Sequence, residues 1–392
     1  MQLGLYISVP FCRSKCTYCN FASGVFSAAQ MGRYVERIVE DVQAFRGYAA
    51  QLGASVPEVV DSIYLGGGTP SLLPPEELKK LFFVLRQEFK IAPSAEITVE
   101  CAPGTLTDDI IQTLVAYGVN RVSLGVQSFV DKEAASVARL HTREKTLSDI
   151  DRLRHAGITN INVDLIAGLP HQTRESWEYS LKETIVTGVP HVSVYMLEVD
   201  EDSRLGRELI AGGTKYHAHF VPDDDLTAEF YETACERLSA AGIEQYEISN
   251  FARAGYESQH NLKYWTRQPY LGFGVDAHSM LPSSDGSAES VRLATTDDYD
   301  RFFALPEWRA TEASKEQALE ESFFLGLRLN RGVDLARLQE TFGSDVNRYD
   351  TLIQELRDEG LLQYLNGSLL LTPRGRLVSN EIFERFIMSP AN

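Results

Sequence analysis

Short runs of apolar and β-branched residues alternate with longer amphipathic segments along the first half of the chain. The short runs predict six strands, at residues 3–9, 61–68, 95–101, 120–127, 160–168 and 191–199. Segments of helical periodicity lie between them, at residues 28–52, 75–90, 107–117, 131–156 and 173–187. Strands that alternate with helices at this spacing predict βαβ units and a parallel sheet. Right-handed crossovers would curl six such units into a partial (β/α)6 barrel, so the predicted fold class is α/β.

The pattern changes in the last part of the chain. Two helical segments, "EQALEESFFLGLRLN" and "SDVNRYDTLIQELRDEGLL", are followed by "YLNGSLLLT". The last stretch predicts two short strands, with Asn366 and Gly367 at the turn between them. Helices followed by such a hairpin predict a smaller winged-helix-like domain. We therefore divide the chain into a barrel at 1–220, a barrel extension at 221–313 and a C-terminal domain at 314–392.

Polar and glycine residues fall at the carboxyl ends of all six predicted strands. Three cysteines follow the first strand, and the second ends in the glycines of "GGGTP" (66–70). The later strands carry single polar residues near their ends, which are Glu100, Gln127, Asp164 and Glu198. In β/α barrels this end of the strands is the catalytic face. The sequence therefore predicts a single site at the carboxyl edge of the sheet.

Composition and charge narrow the class of protein. The net charge of −18 and the pI near 4.9 argue against a nucleic-acid partner, because phosphate binding needs a basic face. The C-terminal segment 321–392 has eight Arg, no Lys and ten acidic residues, so its predicted role is that of a lid or docking surface. No apolar run is long enough to span a membrane, and the first residues do not resemble a signal peptide. An odd number of five cysteines favours a reducing, cytoplasmic location over a disulfide framework.

The segment "PFCRSKCTYCNF" (10–21) contains three of the five cysteines. A redox pair of Cys16 and Cys19 would leave Cys12 without a role. A structural zinc ion would need a fourth ligand, which Cys101 could supply. Three unrelated buried cysteines would not need this close spacing. A [4Fe–4S] cluster held by the three thiolates, with its fourth iron open to a ligand, accounts for the whole pattern, and we favour it.

The spacing C-x3-C-x-Y-C resembles the signature of the radical S-adenosylmethionine (SAM) superfamily. This resemblance implies that the open iron of the cluster chelates the amino and carboxylate groups of SAM. It further implies that an electron from the cluster cleaves SAM to a 5′-deoxyadenosyl radical. The cofactors then carry the chemistry, and the protein positions them and excludes water.

Further motifs resemble the coproporphyrinogen oxidase branch of this superfamily, which includes the HemN and HemW proteins. They are "GVQSF" (125–129), "RLH" (139–141) and "NVDLIAGLP" (162–170), together with "GGGTP". Taken alone, "GGGTP" is equally typical of a tight turn, and the absence of a GK[ST] ending excludes a Walker phosphate loop. In the branch this motif receives the amino group of SAM, so a branched side chain at Gly68 would fill space that the ligand needs.

The resemblance assigns roles to individual positions. Tyr6 would lie beside the cluster and SAM, and Tyr18 would contact the adenine. The methionine part of SAM would contact Gly67, Gly68 and Thr69. The polar groups and ribose of SAM would be bound by Glu100, Gln127, Arg139 and Asp164, with Glu198 a weaker assignment.

Two departures separate the chain from the oxygen-independent oxidase and bring it nearer to the HemW relatives. The first strand begins at Leu3, which leaves no room for the oxidase's N-terminal arm, and Phe21 stands where the oxidase has a further cysteine. The segment "HNLKYW" (260–265) resembles a HemW motif implicated in heme binding. Accordingly, His260 would ligate heme iron while Tyr264 and Trp265 stack on the porphyrin, outside the six-strand core. A structural turn is the alternative, and His278 in "GFGVDAHS" (272–279) is a secondary candidate.

Two functions from different classes follow from these features. The first is a heme chaperone that binds a [4Fe–4S] cluster, SAM and heme and transfers heme to client hemoproteins. The alternative is an oxygen-independent coproporphyrinogen III oxidase. The expected partners are heme, client hemoproteins and an electron donor for the cluster. We expect no nucleic acid, and contact with membranes only peripherally, through clients.

Overall fold

Six parallel strands form the first half of the molecule. The computed structural model describes residues 1–304 and 308–387. Within it the six strands are hydrogen-bonded in sequence order, which confirms the predicted partial barrel. They are β1 (Leu3–Ser8), β2 (Val59–Gly66), β3 (Lys90–Cys101), β4 (Arg121–Gln127), β5 (Asn160–Ala167) and β6 (His191–Met196).

Helices connect these strands and pack on their outer face. They are α1 (Ala28–Gln51), α2 (Pro75–Glu88), α3 (Asp108–Ala116), α4 (Asp131–Ser136), α5 (Arg143–His155) and α6 (Arg174–Thr187). A Ser or Thr precedes four of them and accepts a hydrogen bond from the backbone N–H three residues later. Such caps satisfy donors that have no partner inside the helix, which explains why these helices begin where they do.

The prediction of one continuous helix over 131–156 is wrong, because the structure divides this segment into α4 and α5. Ala138 adopts a left-handed backbone with φ of +64°, which ends the first helix. Thr142 then caps the second helix through the N–H of Lys145. The intervening loop carries Arg139 into the interior of the barrel. An unbroken helix would have placed Arg139 elsewhere.

The segment 221–313 extends both edges of the barrel sheet. Helix α7 (Arg204–Ala211) precedes this segment. Helix α8 (Asp224–Ala240) leads to a hairpin of β7 (Glu244–Glu247) and β8 (Asn250–Ala252), which adds to the edge at β6. After α9 (Gln259–Trp265), a further strand pairs in parallel with β1 on the opposite edge. The strands on that edge are β9 (Tyr270–Phe273), β10 (His278–Leu281), β11 (Ser290–Ala294) and β12 (Arg309–Ala313), with α10 (Tyr299–Ala304) between the last two.

The C-terminal domain has its own three-stranded sheet and its own apolar core. Asn366 and Gly367 both have positive φ angles, of 52° and 87°, so the predicted two-residue hairpin is confirmed. Its strands are β13 (Val333–Asp334), β14 (Leu362–Leu365) and β15 (Ser368–Leu371). Its helices are α11 (Lys315–Gly326), α12 (Leu335–Phe342), α13 (Asp350–Asp358), α14 (Pro373–Leu377) and α15 (Ser379–Phe386). No helix in the described ranges is long and apolar enough to cross a membrane.

The two faces of the barrel strands differ in polarity. In β1, Leu3, Leu5 and Ile7 are fully buried in the large apolar core beneath the helices. The alternate positions of the strands, such as Tyr6 and Glu100, line the interior of the barrel. Strands buried on both faces are usually apolar throughout. A polar interior therefore indicates that the barrel holds a polar ligand.

Candidate functional site

A cavity of about 1190 Å³ occupies the barrel interior and its carboxyl edge, and it reaches α15 of the C-terminal domain. Most residues that the sequence assigned to a site line this one cavity. They are Tyr6, Cys12, Cys16, Tyr18, Cys19, Gly67, Gly68, Thr69, Glu100, Gln127, Arg139, Asp164, Glu198 and His278. The structure does not place His260, Tyr264 or Trp265 among the lining residues.

The cysteine loop, residues 9–24, is folded back on itself and held between three other segments. Cys12 N–H donates to the carbonyl of Gly24 at 2.8 Å, and this closes the loop. The Thr69 N–H donates to the Phe11 carbonyl at 2.7 Å, while the N–H of Leu205 in α7 donates to the Thr17 carbonyl at 2.8 Å. The glycine motif and α7 therefore fix the loop from two sides and present its thiols to the cavity.

The thiols fit an iron–sulfur cluster better than a zinc ion. Cys12, Cys16 and Cys19 are half-buried and unbridged, and burial raises the pKa of the Cys12 thiol. Within residues 1–304 and 308–387, no three His, Cys, Asp or Glu side chains converge closely enough to hold one metal ion. In a [4Fe–4S] cluster, by contrast, each thiolate binds a different iron, so the sulfurs need not share one ion. Cys101 also borders the cavity, but its thiol is buried and directed to the Val99 carbonyl.

The glycine motif departs from one expectation. A Cβ added to Gly68 would lie 2.5 Å from the Val9 carbonyl oxygen and 2.9 Å from the Phe11 nitrogen. The space beside Gly68 therefore belongs to the backbone of the cysteine loop and not to the ligand, and a side chain there would displace that loop. Gly67 is the residue that faces the interior, with φ of +89° and with Tyr6 and Ser8 opposite its missing side chain.

Two polar side chains at the carboxyl edge have atoms without partners. Gln127 holds a left-handed backbone with φ of +67°, and its side-chain oxygen is buried and unbonded. Arg139 donates to the Tyr18 hydroxyl at 3.3 Å, but its Nε is also buried and unbonded. Buried polar atoms nearly always have a partner in folded proteins. These two atoms therefore indicate that a polar ligand completes the site, which fits the amino acid and ribose groups of SAM.

Two carboxyl groups lie deeper in the same interior. Glu100 accepts hydrogen bonds from the Tyr64 hydroxyl at 2.8 Å and the Gly67 N–H at 3.2 Å. Burial, together with the charge of Asp164, raises the pKa of the Glu100 carboxyl to about 7. The Asp164 carboxylate is held by Ser123 and Asn162, and burial raises its pKa as well. A cationic ligand such as the sulfonium or ammonium of SAM would favour the ionised form of both groups.

The titration of Glu100 gives a testable pH dependence. The folded protein retains this proton to a higher pH than the unfolded chain, whose carboxyl titrates near 4.5. Stability of the ligand-free protein should therefore fall as the pH rises from about 4.5 to 7, by up to about 3 kcal/mol. We expect Glu100→Gln to remove this decline, as measured by urea denaturation across that pH range. Glu76→Gln, on the exposed face of α2, is the control, and an unchanged slope in Glu100→Gln would contradict the assignment.

Arg121 is a cavity residue that our sequence analysis missed. Its side chain is 2% exposed and lines the cavity, yet within the described residues it makes no hydrogen bond or ion pair. The sequence did carry a signal, because Arg121 has the same strand parity as Gln127 in "NRVSLGVQ" and so points to the same face. The Asp164 carboxyl is near enough for the two charges to interact, but it forms no direct ion pair with Arg121. A buried guanidinium without a bonded partner is costly, and it indicates that the ligand of this cavity carries an anionic group.

Replacing Arg121 tests whether its charge binds a ligand or stabilises the folded protein. Arg121→Met keeps the length of the side chain and removes a buried charge that makes no direct ion pair. We therefore expect the free energy of unfolding of the ligand-free protein to rise by about 1–3 kcal/mol. Lys263→Met is the matched control, because Lys263 is equally buried but paired with Asp61 at 2.6 Å, and its loss should destabilise the protein. A loss of stability in Arg121→Met would show that the guanidinium is structural.

The segment "HNLKYW" is not where we expected it. It forms most of α9. We expected His260 outside the six-strand core, but it is hydrogen-bonded to Ser62 of β2 and to Glu96 of β3. The ring is 1% exposed, with Nδ1 3.0 Å from the Ser62 hydroxyl and Nε2 2.9 Å from the Tyr264 hydroxyl. Burial and the neighbouring Lys263 charge lower the pKa of His260 to about 3. With both nitrogens bonded, His260 can reach a heme iron only if α9 leaves this position.

Comparison with known proteins agrees with these features along the whole chain. The profile of the Radical SAM superfamily matches residues 6–184, and that of the HemN C-terminal domain matches residues 313–378. The heme chaperone HemW of Bacillus subtilis is 33% identical over 97% of this chain and 98% of its own length. The heme chaperone HemW of Escherichia coli is 31% identical over 98% of both chains.

A solved structure shows the same fold. Coproporphyrinogen III oxidase (HemN) from Escherichia coli, a radical SAM enzyme, superposes with a TM-score of 0.82, covering 98% of this chain and 90% of that chain. The two sequences are 23% identical. At this identity the likeness establishes the architecture of barrel and C-terminal domain, and it does not establish the reaction.

Proposed function

The chain belongs to the radical SAM superfamily and, within it, to the family of the HemW relatives, and from this premise we propose that it is a heme chaperone. It would bind a [4Fe–4S] cluster, SAM and heme, and transfer heme to client hemoproteins. The observation that carries the proposal is the match to relatives named heme chaperone HemW over nearly the full length of both chains. A separate electron donor would reduce the cluster.

The residues around the cavity support the first two cofactors. Cys12, Cys16 and Cys19 would hold the cluster, since their thiols face the cavity from one loop. The proposed contacts with SAM come from Tyr6, Tyr18, Gly67, Gly68, Thr69, Glu100, Gln127, Arg139 and Asp164. When bound, the cluster and SAM supply one-electron chemistry. The chain itself would orient them through the unpartnered atoms of Gln127 and Arg139 and shield them from water with the C-terminal domain.

Binding of heme is the part of the proposal that separates a chaperone from other radical SAM proteins. The sequence assigned it to His260, Tyr264 and Trp265. The placement of α9 makes that assignment dependent on a rearrangement, because the imidazole is enclosed and both its nitrogens are bonded. We therefore propose heme as a ligand of the protein without assigning its iron to His260.

One observation favours the oxidase as a second candidate. The cavity of about 1190 Å³ exceeds the about 300–1,000 Å³ typical of a site for one small ligand, and inside it Arg121 supplies a positive charge that makes no direct ion pair. A porphyrinogen with carboxylate side chains would satisfy that charge. The shared fold with HemN permits this reaction but does not require it.

Two assays on the same sample test the proposals. Anaerobically reconstituted protein is titrated with heme and followed by its visible spectrum, and we expect saturable binding near one heme per chain. The reduced protein is then incubated with SAM and coproporphyrinogen III, and we expect no protoporphyrinogen. Absence of heme binding would contradict the chaperone proposal, whereas turnover to protoporphyrinogen would establish the second candidate.

A further inference from the structure

Three imidazoles gather around one exposed aromatic ring near the mouth of the barrel. His171 follows β5, and His217 and His219 lie on the turn between α7 and α8. The ring centroids of His171 and His217 are 5.2 Å apart. Phe220 lies at the centre of the group, with its ring centroid 4.0 Å from that of His171 and 4.1 Å from that of His219. We call these four side chains the imidazole cluster.

The backbone that carries the imidazole cluster is held in place. His171 and His217 both have left-handed φ angles, of 70° and 64°, which are uncommon for residues other than glycine. The His171 N–H donates to the Phe220 carbonyl at 3.0 Å. The Glu208 carboxylate of α7 accepts hydrogen bonds from the N–H groups of Tyr216 and Ala218, at 2.7 and 3.1 Å. Unfavourable backbone conformations that the surroundings enforce are found most often at functional sites.

The ring nitrogens of this cluster make no hydrogen bond within residues 1–304 and 308–387, although the Glu208 carboxylate is near enough to interact electrostatically with His219. The chain has eight histidines. The remaining five each have a hydrogen bond or a carboxylate neighbour, and they are His141, His155, His191, His260 and His278. Burial, with the charge of Lys132, also lowers the pKa of His171, which keeps its ring neutral and able to bind a metal at neutral pH.

The geometry favours an iron that is already held by a macrocycle over a free cation. No three His, Cys, Asp or Glu groups of the described chain could together hold one metal ion, and the imidazole cluster is no exception. Heme iron has four ligands from its porphyrin and needs only an axial nitrogen from the protein. Exposed apolar side chains that a porphyrin could cover lie nearby, since Phe220 is 46% exposed and α7, which packs against this turn, exposes Leu209 and Ile210.

We propose that the imidazole cluster is where this protein ligates heme iron, with His171 supplying the axial nitrogen and Phe220 packing on the porphyrin face. This inference rests on the proposed function, because it assumes that heme is a ligand. The site lies outside the cavity that holds the cysteines. Heme would therefore be bound next to the cluster and SAM without displacing either of them.

The test compares heme titrations of the full-length, reconstituted protein and its variants. We expect His171→Ala to change the visible spectrum of bound heme, and the triple change of His171, His217 and His219 to alanine to weaken binding at least about tenfold. Iron and sulfide content, SAM affinity and the melting temperature should stay at wild-type values, which would show that the variants are folded. His155→Ala is the control, since His155 is exposed but bonded within its own helix.

The outcomes distinguish a failure of this inference from a failure of the chaperone proposal. If the wild type binds heme and the triple variant binds it equally well, the imidazole cluster is not the site, and the chaperone proposal stands. If the wild type does not bind heme, the chaperone proposal fails and this inference fails with it. Stoichiometric Zn²⁺ binding that is lost in the triple variant while heme binding persists would reassign the cluster to a free cation.

Discussion

Alanine in place of Cys12, Cys16 or Cys19 is expected to abolish the iron–sulfur cluster completely. The three thiols come from one loop, and each would bind a different iron, so the loss of one thiol leaves an iron without its protein ligand. Anaerobic reconstitution of the wild type should give about four irons and four sulfides per chain. Each of the three variants should give neither the metal nor the visible absorption of the cluster, although the barrel, whose core lies elsewhere, stays folded.

The two other cysteines provide the matched controls. Cys101 is buried, its pKa is raised to about 12 by that burial, and its thiol points to a carbonyl of its own strand. Cys235 lies on α8, away from the loop. We expect Cys101→Ala and Cys235→Ala to retain the full cluster. Loss of metal in Cys101→Ala, or stoichiometric zinc in the wild type, would restore the zinc alternative.

The second large effect concerns stability and not ligand binding. His260→Ala is expected to lower the free energy of unfolding by about 3–5 kcal/mol, because it opens a cavity and leaves the hydroxyls of Ser62 and Tyr264 without their partner. At an equal fraction of folded protein, heme binding should be unchanged. Urea denaturation and a heme titration on the same sample measure both quantities.

This prediction distinguishes two assignments of the residue that ligates heme iron, His260 and the imidazole cluster. If His260→Ala folds with wild-type stability and loses heme, α9 leaves its position in solution and the motif "HNLKYW" carries the iron. The imidazole cluster would then be excluded. His155→Ala serves again as the control, because its loss removes one exposed imidazole and no buried hydrogen bond.

The sequence predicted those features that depend on residues close together in the chain. Alternating strands and helices identified the six barrel strands, and most of the site residues predicted at and near their ends do line the cavity. The Asn366–Gly367 turn followed from local backbone preference. The break between α4 and α5 was missed because Ala138, which adopts the left-handed conformation there, is a strong helix former.

Features that depend on distant contacts could not be predicted in this way. His260 is buried by Ser62 and Glu96, and neither its neighbours in sequence nor its motif indicate that. Arg121 reads as an ordinary surface cation until the strand that carries it is known to face the interior. The imidazole cluster combines a loop after β5 with a turn after α7, so its three histidines become neighbours only in the folded chain.

The position of β1 has a consequence for how the protein is made. β1 is synthesised before the other described strands of its sheet, yet it lies within the sheet, between β2 and β9. Its Gly4 aligns with Tyr270, 266 positions later. A nascent chain therefore carries the cysteine loop on a strand whose second edge stays open until most of the protein has left the ribosome. Pairing over such a distance is slow, so we expect iron and sulfide to be inserted after translation and not during it.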